Sequence, residues 1–145
     1  MTTTTLITSR EAMRICDVSY RQIDYWSRTG LISPEGAGEG SGSRRGFTFE
    51  QLIQLRIIRA MLDAGIRLDA IRAIFDRIRE DLPSDMSRAN LVIDGDQVAV
   101  MSGDQIIDAL RSSRGGLVSI LPLAWPVADV RASLLEMGWI LGEQA

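Results

Sequence analysis

The sequence predicts a mainly helical N-terminal domain followed by a small α+β unit. Three observations carry that reading. Thr8 with Glu11, Ser19 with Gln22 and Thr48 with Gln51 have the Ser/Thr-x-x-Glu/Gln spacing that opens helices, and all three lie within residues 1–83. Pro83 and the serine-rich stretch after it end this texture. Beyond it, "LVIDGDQVAVM" places two short β-rich apolar runs around Asp94-Gly95, a hairpin signal. The expected division is therefore 1–83 and 84–145.

Taken in order, the Thr8 capping box starts a helix near Ser9 that runs to about Cys16. Asp17-Val18 makes a short break. Ser19 and Gln22 start a second helix, which Thr29-Gly30 ends, with Gly30 where a positive φ is expected. Two short helices joined by a tight turn form a helix-turn-helix. The stretch "SPEGAGEGSGSRRGF" has glycine or serine at most positions and reads as a flexible loop. Thr48 opens a longer helix to about Asp63, with Leu52, Leu55, Ile58, Met61 and Leu62 at helical spacing. Ala64-Gly65 breaks it. A fourth helix is expected from Leu68 to about Asp81, with Ile71, Ile74, Phe75 and Ile78 on one face.

In the second part, Ser102 caps a short helix from Asp104 to about Arg111, and "SSRGG" turns the chain. "GLVSILPLAW" reads as a strand that Pro122 confines to a sheet edge. "VADVRASLLEMG" is a last amphipathic helix with Val127, Val130, Leu134 and Leu135 on one face. A unit of about sixty residues buries little core of its own, so it is expected to pack on the first part or on a partner chain. Trp125, Met137 and Trp139 either fill this small core or form a partly exposed patch.

Composition removes several function classes. Apolar residues make up 46% of the chain, enough for a core, yet no apolar run approaches the ~18 to 20 residues of a membrane span. The opening "MTTTTLITSR" lacks the basic-then-apolar order of a secretory signal, so a cytoplasmic, nucleoid-associated protein is expected. One cysteine, Cys16, allows no internal disulfide and no multi-cysteine metal site. It reads as a small buried apolar residue. There is no histidine to serve as general base, and "GEGSGS" lacks the Lys-Ser/Thr ending of a phosphate loop. Neither catalysis nor a cofactor or metal is expected. The net charge of −3 is uneven: residues 1–82 hold twelve arginines and eleven acidic residues, residues 83–145 four and eight. The acidity belongs to the second part, and a DNA-binding surface needs only a local basic patch.

The second helix carries more planar hydrogen-bonding groups than packing requires. A recognition helix presents side chains near its N-terminus to base edges in the major groove. Ser19, Tyr20, Arg21 and Gln22 occupy that end, where Arg can bond bidentately to guanine and Gln to adenine. Tyr25 and Arg28 lie later and suit backbone contacts. The Gly/Ser loop ends in Arg44-Arg45, and an arginine-tipped loop beside a helix-turn-helix is a wing able to cross phosphates or enter the minor groove.

"SREAMRICDVSYRQIDYWSRTGLISP", followed by a loop ending in "RRGFTFEQLIQLRIIRAMLDAGIRLDAIRAIF", resembles the winged helix-turn-helix domain of MerR-type transcription regulators over roughly residues 6–80. The resemblance implies a homodimer on a pseudo-palindromic site in double-stranded DNA. In many such regulators an overlong promoter spacer is twisted so that RNA polymerase can engage it. Tyr20, Arg21 and Gln22 match recognition-helix positions, Arg45 matches the wing arginine, and Tyr25 matches an aromatic that touches the backbone. Asp24 departs from the pattern and would repel phosphate unless it pairs with Arg28 or Arg21; Trp26 stands where tyrosine is usual. The second part lacks the long dimerisation helix and is similar to the small C-terminal domain of an actinobacterial subgroup, with no effector implied. An architectural, excisionase-like DNA binder and a protein-interaction module with secondary DNA binding are the alternatives.

Overall fold

The computed structural model describes residues 6–34, 46–78, 86–94, 97–112 and 118–139. Its elements are β1 (Ile7–Thr8), α1 (Ser9–Cys16), α2 (Tyr20–Arg28), β2 (Gly46–Phe47), α3 (Phe49–Asp63), α4 (Leu68–Ile78), β3 (Asn90–Asp94), β4 (Gln97–Met101), α5 (Gly103–Ser112), β5 (Ser119–Pro122) and α6 (Ala124–Glu136). A 3-10 turn, Met86–Arg88, precedes β3. A mainly helical N-terminal region thus precedes a small α+β region, as the sequence pattern requires.

All three expected capping boxes are built. In each, the Ser or Thr side chain accepts the backbone N–H three residues on, and that residue's side chain accepts in return. A fourth forms at α5, where Ser102 N–H donates to Gln105 Oε1 at 2.8 Å and Gln105 N–H to Ser102 Oγ at 3.3 Å. Each box satisfies two backbone groups that a helix start otherwise leaves unpaired.

The chain forms two compact units, residues 1–65 with 130–145, and residues 66–129. In the first, α1 packs on α2 and α3 around Ile23, Trp26, Phe47, Leu52, Leu55 and Ile58. Cys16 is fully buried, its Sγ donating to the Leu52 carbonyl at 3.3 Å, in keeping with an inert packing role. β1 and β2 pair antiparallel, Ile7 with Phe47 and Thr8 with Gly46. Strands of two residues show no periodicity, so the sequence pattern did not reveal them. From α6 onward, Arg131 lies over the Phe49 ring at 5.4 Å and Trp139 Nε1 approaches Glu11 Oε2 at 3.4 Å.

In the second unit a three-stranded antiparallel sheet runs β4-β3-β5, with Leu91 and Ile93 of β3 buried and α4 packed on β4. β5 is an edge strand ending in Pro122, where the missing N–H costs no ladder bond. The expected strand through Trp125 is shorter than its composition suggested: it stops at Pro122 and α6 begins at Ala124. Pro126 fits the first turn of α6 because its missing N–H is one the helix would not use there. Trp125 is 41% exposed, while Met137 and Trp139 are half-buried. The boundary at 83/84, Pro83, the turn residues Gly95 and Asp96, and most of "SSRGG" lie outside the described residues. Among the described residues no helix is long and apolar enough to cross a membrane, and no acidic, cysteine or histidine cluster could hold a metal.

Gly46 has a steric reason of its own. A Cβ built there would stand 2.6 Å from both Cβ and Cδ1 of Leu6. Gly46→Ala is expected to destabilise the N-terminal unit by about 1–3 kcal/mol, as overpacked sites do, read as a lower denaturation midpoint at unchanged slope.

Candidate nucleic-acid interface

The interface is built on the turn between α1 and α2. Asp17 adopts a left-handed conformation, φ 58°, which short polar side chains tolerate, and so reverses the chain within three residues. Its carboxylate lies 3.9 Å from Arg59 Nε on α3, and Arg59 also meets Asp63 at 3.0 Å. Arg59 thus lies near the turn, and Val18 within the turn is buried.

Ile23 and Trp26 bury one side of α2, at 0% and 2% exposure. Arg21, Tyr25 and Arg28 follow at i, i+4 and i+7 and emerge opposite that stripe, all exposed. Tyr20 is also exposed, at 45%. Arg21 has no hydrogen-bond or ion-pair partner among the described residues. Asp24, the departure noted in the sequence, pairs with Arg28 at 2.9 Å across one helical turn. That pair moderates the repulsion an isolated carboxylate would offer a phosphate.

Ser19 and Gln22 do a different job in this structure. Ser19 Oγ accepts the Gln22 N–H at 3.0 Å, and Gln22 Oε1 accepts the Ser19 N–H at 2.9 Å. Reading adenine bidentately needs both the carbonyl and the amide of glutamine, and here the carbonyl is already engaged. The spacing that located the helix was therefore also a statement about what Gln22 is bonded to.

The far end of α2 is closed by a Schellman arrangement. Leu31 N–H reaches the Trp26 carbonyl at 2.9 Å and Gly30 N–H the Ser27 carbonyl at 3.4 Å, with Gly30 at φ 83°. The chain then meets α3. Gln51, besides closing the Thr48 capping box, donates from Nε2 to the Ser33 carbonyl at 2.7 Å. Gly46, at the other end of the intervening loop, is paired to Thr8 one residue before α1. Both ends of that loop are thus fastened in the unit that carries α2. Sequence reasoning saw Gln51 only as a cap and missed Arg59 altogether; a glutamine with a spare amide at a helix start was the available signal for the first. Arg44 and Arg45 lie outside the described residues.

Comparison with known proteins fits this geometry. Residues 7–78 match the family described as MerR HTH family regulatory protein. Over 106 residues, 72% of this chain, the sequence is 36% identical to an uncharacterized HTH-type transcriptional regulator of Mycobacterium bovis. It is equally similar to uncharacterized HTH-type transcriptional regulators of two Mycobacterium tuberculosis strains. The match covers 47% of each of these relatives, so the chain spans about half their length.

Proposed function

This chain belongs, through residues 7–78, to the MerR HTH family of regulatory proteins, and on that premise we propose that it is a sequence-specific transcription regulator that binds double-stranded DNA as a homodimer. The target is a pseudo-palindromic promoter site, and distortion of that site is what alters access for RNA polymerase. The observation that carries the reading is the outward stripe Arg21-Tyr25-Arg28, opposite the buried Ile23 and Trp26. α2 enters the major groove N-terminus first, with Arg21 reading a guanine edge and Tyr20, Tyr25 and Arg28 fixing register on the backbone. Gln22 holds the cap and offers its amide hydrogens as donors. Arg44 and Arg45 grip phosphate or the minor groove.

Binding measured by fluorescence anisotropy across a salt series tests this. The protein is expected to select duplexes with two inverted half-sites from a random pool, its affinity falling steeply with salt. Arg45→Ala should weaken specific and random DNA alike and reduce the magnitude of the log–log salt slope by about 1. No preference among duplex sequences at low salt would sink the proposal.

A further inference from the structure

Asp24 is the one acidic residue of α2, and local helix chemistry does not call for it. It stands beyond the first turn, where the helix dipole favours an acid, and aspartate is a poor helix former. Its ion pair with Arg28 joins Oδ2 to Nε at 2.9 Å, with the arginine side chain 65% exposed and the aspartate 29%. Exposed pairs of that kind contribute little to stability. Yet Asp24 lies between Arg21, three residues before, and Arg28, four residues after, so helical spacing sets it on the flank of the outward stripe. A bare carboxylate there opposes DNA.

The two arginines beside it differ. Arg21 has no partner among the described residues and presents a full positive charge to any duplex. Arg28 is held through Nε, and among the described residues its Nη1 and Nη2 groups have no partner. At distances longer than the pair itself the opposite charges cancel, and Arg28 adds little attraction for a phosphate. At hydrogen-bonding distance its Nη groups still donate, in a direction that the Nε–carboxylate bond fixes. Binding to arbitrary DNA rests on long-range attraction to phosphates, whereas a matched site also offers phosphates in register. We infer that Asp24 is a specificity-determining residue: by neutralising Arg28 at long range and aiming it at short range, it weakens binding to random DNA more than to the matched site. The inference rests on the DNA reading above and assigns to that surface a residue that works against indiscriminate binding.

Anisotropy titrations of the full chain test it, comparing the duplex that the wild type selects from a random pool with a random duplex of equal length. Asp24→Asn should bind the random duplex about three- to tenfold more tightly, with a log–log salt slope steeper by up to about 1, while affinity for the selected duplex changes less. The selectivity ratio then falls although binding improves. Asp24→Glu keeps the charge and the pairing across one turn, and should retain the wild-type ratio. Asp104→Asn removes the same charge from α5 and should leave the ratio near its wild-type value. A merely structural role for Asp24 would move the melting curve and not the salt slope. The inference is overturned if Asp24→Asn keeps the wild-type ratio, or if Asp104→Asn lowers it equally. It is also overturned if Asp24→Asn weakens the selected duplex alone, since Asp24 would then be reading a base, such as a cytosine amino group. In each of these cases the wild type still prefers its selected duplex and the DNA reading stands. A wild type without any preference removes that reading, and the inference with it.

Discussion

Trp26→Ala is expected to unfold the N-terminal unit, or leave it unfolding at a midpoint lower by roughly 12 °C or more in a thermal scan. Trp26 is 2% exposed and sits on α2 directly beneath the outward stripe. Its truncation removes a large aromatic from a core that α1, α2 and α3 share, and such losses run to about 3–5 kcal/mol against a typical total of about 5–15 kcal/mol. The backbone of the same residue closes the helix, accepting N–H groups from Leu31 and Ile32. A collapsing side-chain site would therefore disturb the cap as well. Trp26→Phe, which keeps an aromatic ring, should lose much less. If Trp26→Ala melts with the wild type, the packing described for α2 is wrong.

Arg21→Ala should change what the protein reads while leaving its stability alone. The guanidinium is exposed and has no partner among the described residues, so its removal breaks nothing in the fold. At a guanine edge it would supply two parallel hydrogen bonds worth about 1–3 kcal/mol of discrimination. The expected result is a flattened ranking of operator variants at one base pair per half-site, with an unchanged melting curve. Gln22 needs two variants, because it caps the helix and is also proposed to donate to DNA. Gln22→Ala removes both functions and should lower stability by about 0.5–1 kcal/mol. Gln22→Glu keeps an acceptor for the Ser19 N–H and replaces the amide donors by a carboxylate, whose charge weakens binding to every duplex alike, so the ranking of duplexes and not the absolute affinity is read. A ranking altered by Gln22→Glu at constant stability assigns those donors to DNA. A ranking untouched by either variant means that Gln22 is a cap and nothing more.

Helix starts were legible because they rest on local chemistry. A Thr or Ser three residues before Glu or Gln is a bonding pattern complete within one turn, and the four built boxes follow it. The ends of α2 and α3 were legible for the same reason: Gly30 and Gly65 take φ values that other residues avoid. What escaped depends on distant partners. Nothing local to Gly46-Phe47 says that Ile7-Thr8 lies beside it, and nothing near Arg59 names Asp17. The start of α6 was misplaced because a proline in a β-rich run looks like a strand breaker, whereas in a first helical turn it is neutral. The grouping of Val130 onward with residues 1–65 is likewise a tertiary fact with no trace in periodicity. At the interface, the capping spacing already implied that Gln22 is bonded to Ser19, whereas the sequence left Arg28 and Arg21 as alternatives for Asp24 and the structure gives Arg28.

The two fastenings at Ser33 and Gly46 have a consequence for sequence drift. The eleven residues 35–45 lie in the sequence between these two points. Lengthening or trimming the sequence between the two anchored points is expected to leave the described fold unchanged, since doubling a connecting segment adds only about 0.6 kcal/mol of closure entropy. On the proposed role of Arg44 and Arg45, insertions and deletions here become a dial for DNA affinity that evolution, or an engineer, can turn one glycine at a time without cost to the fold.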